Sequence, residues 1–276
     1  MINIVNMFTQ KDNPAAQGQA QNIRGPIMQM PNIKGLIRRR LLVNFRVDPS
    51  IIQRQLPAPF RPKLQAGYAV AGICLIRLEN MRPGFVPDVF GISSENAAHR
   101  IAVNWEDERG SHDAVYIPRR DTSSMINQFA GGRVFPGEHH RARFEVEESD
   151  GHIRLQMESL DQAVKVLLSA TPSADLPPGS CFRSLEEASK FFETGSLGYS
   201  ATSNGDRLDG IQLRTQEWKV EPLAVEEIYS SYFADKSIFP EGTAFFDCAL
   251  LMRNIKHEWQ AAKDLYGERP ANLARF

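Results

Sequence analysis

The sequence predicts an α+β fold, mainly antiparallel β, with a curved or closed barrel-like sheet and helices at its periphery. Three observations predict it. Short segments rich in branched and aromatic residues recur along the 276-residue chain, divided by turn signals such as Ser149-Asp150-Gly151 and the break Leu176 to Gly179. Helical patterning is confined to a few stretches between those segments. Neither an internal repeat nor a linker is evident, so the strands belong to one domain over residues 31–276, with residues 1–30, a Gln/Asn/Met-rich stretch without clear period, as an N-terminal arm or tail.

The elements follow in order. Arg38 to Val47 reads as a strand. Asp48-Pro49 opens a short helix, Asp48 as N-cap and Pro49 as first helical residue, with Ile51, Ile52 and Leu56 as its apolar face. Tyr68 to Leu78 is nearly all apolar and reads as a buried strand. His99 to Trp105 and Ala114 to Pro118 are further strands, and Ser123 to Ala130 a short helix. Arg141 to Glu147, Ile153 to Leu160 and Gln162 to Ser169 form a meander. Ser184 and Glu187 make a capping box for a helix over Leu185 to Thr194. Leu208 to Val220 and Val225 to Phe233 read as strands, and Thr243 to Leu265 as a terminal helix.

Composition bounds the function. Charged residues make up 24% and hydrophobic ones 42%, the profile of a soluble globular protein. A net charge of −1 gives no bulk drive toward nucleic acid or anionic lipid, and neither partner is expected. The three cysteines are far apart, which suits a reducing compartment, and a cytoplasmic location is expected. No secretory signal and no transmembrane run is read. His99, His140 and a carboxylate such as Glu95 could meet around a metal, but no ligand spacing supports it, and no cofactor is expected.

The segment GGRVFPGEHHRARFEV, Gly131 to Val146, carries the chemistry. In a strand, successive side chains point to opposite faces. His140 then joins Ala142, Phe144 and Val146 on a core face, while His139 joins Arg141, Arg143 and Glu145 on a charged face, solvated or ion-paired. His140 reads either as a proton-transfer group or as a core-edge histidine bonded to a carbonyl.

Three blocks together resemble the acetoacetate decarboxylase superfamily. The family pattern G-R-x-x-x-x-x-P-K-K is met by Gly132-Arg133, with His140-Arg141 where its two lysines stand and His139 where its proline stands. NFRVDPSIIQRQLPAPF (Asn44 to Phe60) is similar to Y-R-T-D … V/L-P-x-P-L, and LRTQEWKVEPLAVEEIYSSYFAD (Leu213 to Asp235) to R-L-Q-L … P-L … L-P-V-x-E-I-x-S-S. The resemblance implies the family's curved β fold, an enclosed pocket for a small carbonyl or carboxylate compound, and a homo-oligomer. It also implies that the Schiff-base lysine, which the family activates with a neighbouring cation, is replaced by His140, which forms no stable imine. His140 with Glu95 is then the expected acid/base pair, and Arg38, Arg133, Asn96 and His99 are the expected substrate contacts. Glu95 and Asn96 both fit one family glutamate, and a second falls on Val70 or Gly72. Lys165, in the apolar run AVKVLL, is the candidate for a displaced amine. Two function classes follow: an enzyme using His-centred lyase- or isomerase-type chemistry, or a non-catalytic small-molecule-binding or assembly protein on the same fold.

Overall fold

The computed structural model describes residues 31–130, 136–202 and 207–266. The arm expected over residues 1–30 lies outside them. Strand β1 (Ile33–Val47) leads through α1 (Pro49–Gln53) and the two-residue strands β2 (Arg61–Pro62) and β3 (Leu64–Gln65) to three long strands, β4 (Tyr68–Pro83), β5 (Ile92–Asp107) and β6 (Gly110–Thr122). After α2 (Met125–Ala130) come β7 (His139–Ser149), β8 (His152–Ser159) and β9 (Lys165–Pro172). Then follow α3 (Leu185–Glu193), β10 (Leu197–Ala201), β11 (Arg207–Thr215), β12 (Glu221–Ser230), α4 (Ser231–Ala234) and β13 (Ala244–Tyr266). All thirteen strands join one sheet, antiparallel except where β6 runs parallel to β7 and to β10.

The pairing closes two rings of strands that share a wall. One runs β6-β7-β8-β9-β12-β13-β1-β4-β5 and back to β6. The other runs β6-β10-β11-β13-β1-β4-β5 and back to β6. The shared strands therefore bury both faces. On β4, Ala71, Ile73 and Leu75 enter the larger core with Leu41, Ile153 and Leu168, whereas Val70, Cys74 and Leu78 enter a second cluster with Leu42, Leu250 and Phe192. Gly72 sits where β4 presses on β1: a Cβ there would lie 2.2 Å from the Val43 carbonyl oxygen, so no side chain, acidic or otherwise, fits.

The same double burial overturns one expected element. Thr243 to Leu265 is not a helix but strand β13, paired with β1, β11 and β12. Asp247 to Met252 is buried on both faces, and an apolar run of that kind carries no period of two. Its Ala, Leu, Met and Lys residues favour helix only weakly, and pairing partners on both sides outweigh that preference.

The helices sit at the periphery. Asp48 caps α1 by accepting from the Ser50 N–H at 2.8 Å, and Ile51 and Ile52 pack into the larger core. Ser184 Oγ accepts from the Glu187 N–H at 3.2 Å, and the Glu187 carboxylate accepts from the Arg183 N–H at 2.6 Å. These bonds hold α3 so that Phe191 and Phe192 pack with Phe182 in the second cluster. Among the described residues, no helix is long and apolar enough to cross a membrane.

Candidate ligand-binding site

The seven-strand ring holds a cavity of about 110 Å³. Every strand of that ring lines it: Ile37 and Arg40 from β1, Cys74 and Ile76 from β4, Ala98 and Arg100 from β5, Val115, Ile117 and Arg120 from β6, Gly198 from β10, Ile211 and Leu213 from β11, and Trp259 from β13. His139, at the start of β7, completes it.

Two bulges aim the arginines. Opposite β4, β1 carries one extra residue between Ile37 and Arg39. Arg38 is extruded there, half exposed, and bonds to Glu79 at 2.8 Å and Asn254 at 2.8 Å. Arg40 is left facing the cavity. On β6 the register against β5 shifts beside Pro118, whose ring nitrogen has no N–H to give the ladder. Tyr116, Arg119 and Asp121 thereby share the larger core, and Arg120 faces the cavity with Val115 and Ile117. The parallel pairing of β6 with β7 then sets His139 beside Arg120 and His140 beside Asp121.

Arg40 Nε donates to Cys74 Sγ at 3.0 Å, and its guanidinium lies 5.7 Å from the Trp218 ring centre. Arg100 donates to Asn44 Oδ1 and stacks 4.8 Å from the Phe192 ring centre. Arg120 Nη2 donates to Ser200 Oγ at 3.3 Å. Among the described residues none of the three forms an ion pair with a carboxylate, although Arg39 and Arg119 beside them do. Arg40 Nη1, Arg100 Nε and Arg120 Nε are buried and meet no hydrogen-bond partner there. Burial pushes the Arg100 and Arg120 guanidiniums down to about 10, so both remain cations at neutral pH. His139 Nδ1 lies 3.2 Å from the Gly137 carbonyl, which fixes the neutral tautomer with its proton on Nδ1. Burial, and next the charge of Arg120, push that imidazole down to about 3. Gly137 is left-handed (φ 73°), and a Cβ there would lie 2.7 Å from Ser200 Cβ.

A family model matches residues 36–246. The chain belongs to the DUF2071 family. That family is described as an uncharacterized conserved protein. No curated protein sequence matches this DUF2071 chain. Its fold is that of acetoacetate decarboxylase-like proteins. It is similar to acetoacetate decarboxylase from Legionella pneumophila (TM-score 0.53, 11% identity, 86% of each chain covered). It is similar also to an acetoacetate decarboxylase-like enzyme from Sphingomonas wittichii RW1 (0.54, 12%, 91% of this chain and 99% of that one). A third match is the enduracididine biosynthesis enzyme MppR complexed with the condensation product of pyruvate and imidazole 4-carboxaldehyde (0.52, 11%, 85% and 88%).

The residues singled out from the DUF2071 sequence do not converge on one site. His140 does share the face of Ala142, Phe144 and Val146, and its Nδ1 lies 3.3 Å from Asp161, which Arg119 also binds at 2.9 Å. His99 is buried on that face, edge-on to Tyr232. Glu95 pairs with Arg39 at 2.7 Å and Arg77 at 3.8 Å rather than with His140. Asn96, one position on, lines a neighbouring chamber of the cavity. Arg133 lies outside the described residues. Lys165 is exposed and paired with Glu158 at 3.0 Å. Arg40, Arg100 and Arg120 are not among the residues the sequence singles out, and His139 is placed by it on the charged face of β7 rather than at a cavity. The signal for Arg100 was a lone arginine in the strand AAHRIAV; the others needed the bulges and the second buried face.

Proposed function

We propose that this chain binds a small carboxylate or carbonyl compound at Arg40, Arg100 and Arg120, and that His139, rather than His140, moves a proton on it. The observation that carries the reading is the set of three guanidiniums around one cavity, each with a buried nitrogen that meets no hydrogen-bond partner among the described residues. Buried charge is costly unless a partner completes it, and guanidinium is the side chain best shaped for a carboxylate. Deprotonated at Nε2, His139 is the form that accepts a proton. A bound anion beside it would raise its affinity for that proton toward the neutral range. The electron pair of the broken C–H bond would pass to the carbonyl oxygen, and the neighbouring guanidiniums would stabilise the resulting enolate. No imine step enters, because no lysine lines the cavity among the described residues.

MppR, which shares the fold, has been captured with pyruvate, a compound of this class. Pyruvate in D2O is accordingly the first test. The wild type should exchange the methyl protons, read by NMR; His139→Gln should bind pyruvate and exchange none. A second reading, a binding protein without chemistry, is favoured by the low basicity of His139. It predicts pyruvate binding that depends on Arg120 with no exchange in either protein. Binding indifferent to Arg120→Met would overturn both.

A further inference from the structure

We infer that the ligand is an amphipathic acid, with its carboxylate on the three arginines and an apolar tail in the adjoining chamber. The inference rests on the anion-binding reading and names the class of compound that fits. The adjoining chamber measures about 280 Å³ and shares Ile76, Ala98, Arg120, His139 and Trp259 with the arginine cavity. Beyond those residues its wall is largely hydrocarbon, from Ile33, Leu78, Met81, Ile92 and Ile126, with Arg82, Asn96, Asp121 and Asn127 as its polar members.

The polar side chains on that wall have protein partners: Asp121 accepts from Arg119 Nη2 at 2.8 Å. Asn96 donates to Ser94 Oγ at 2.9 Å and accepts from Thr122 Oγ1 at 2.8 Å. Asn127 donates to Ser94 Oγ at 3.1 Å. Arg82 donates to the Val86 carbonyl at 3.0 Å and to Asp88. A ligand reaching past Arg120 therefore meets mainly carbon, and polar groups that already have protein partners. The opposite direction is closed, because Phe191 and Phe192 pack against the ring beyond Arg100. The head sits deep and the tail has one way to run. At roughly 30 Å³ for a water-sized group, the chamber takes on the order of nine such groups.

The test is affinity across the straight-chain acids acetate, butanoate, hexanoate, octanoate and decanoate, read from Trp fluorescence and calorimetry, with octanol as the uncharged control. Each methylene buried in the chamber should tighten binding about fourfold up to octanoate, with a plateau beyond. Octanol should bind at least tenfold more weakly than octanoate. Ile92→Trp and Ile126→Trp, which fill the chamber from two different elements, should weaken octanoate at least tenfold and leave butanoate unchanged. Affinity that stays flat along the series, or octanoate binding untouched in both tryptophan variants, would overturn the tail chamber and leave the anion site standing. Failure of every acid to bind, acetate and butanoate included, would overturn the anion reading itself. Octanol binding as tightly as octanoate would overturn it too.

Discussion

Arg119 and Arg120 share a peptide bond, yet among the described residues only Arg119 pairs with carboxylates. Arg119 holds buried Asp121 at 2.8 Å and Asp161 at 2.9 Å, while Arg120 holds neither. Removing Arg119 leaves Asp121 buried and uncompensated, so Arg119→Met should cost about 3–5 kcal/mol in urea unfolding. Arg120→Met strands no carboxylate among the described residues; its melting temperature should hold or rise while carboxylate binding is lost. A large stability loss for Arg120→Met would show that its charge is spent on the fold. Gly137→Ala should cost about 1–3 kcal/mol, since it needs φ 73° and its Cβ would collide with Ser200. At this scale the sequence was half legible. Alternation places His139 and His140 on opposite faces, but it gives the face of Arg141 and Arg143 only as solvated or ion-paired. At His139 that face is roofed by the second ring, a distant contact that no local pattern encodes.

Elements with their own punctuation were the readable ones. Ser184 and Glu187 mark α3, and Asp48-Pro49 marks α1, because a cap is a bond between residues two to four apart. Ser184→Ala should cost about 1 kcal/mol in thermal unfolding. The same variant loosens the helix that carries Phe191 and Phe192, so amide exchange should rise there ahead of the strands; uniform exchange would argue against that coupling. Strand β13 was unreadable for the opposite reason. Its partners β1, β11 and β12 lie tens to hundreds of residues away, and its double burial hides the alternation. The bulges at Arg38 and Pro118 were equally silent, and the one on β1 is what turns Arg38 outward and leaves Arg40 lining the cavity.

Across the whole molecule, His99 and His139 are held at about 3 and His257 at about 4, in each case chiefly by burial. An unfolded imidazole takes its proton near pH 6.5. Between there and about 4 the unfolded chain therefore carries more protons than the folded one, and stability falls as the pH drops through that window. Buried Glu95 and Asp121, with carboxyls raised by burial, oppose part of the loss. Urea midpoints should decline from pH 7 to pH 4.5; a flat profile would contradict the burial of these histidines. The mainly antiparallel, curled sheet was legible because strand-like segments are local, whereas closure into two rings depends on β6 taking three partners at once. That shared wall gives mutational data an expected rhythm. Along Ala97 to Val103, a library sorted once for folded protein and once for carboxylate binding should divide odd positions from even ones. Ala97, His99 and Ile101 should register as abundance, and Ala98 and Arg100 as affinity. A single-residue slip of β5 would exchange the two lists, so selection on either property also guards the other.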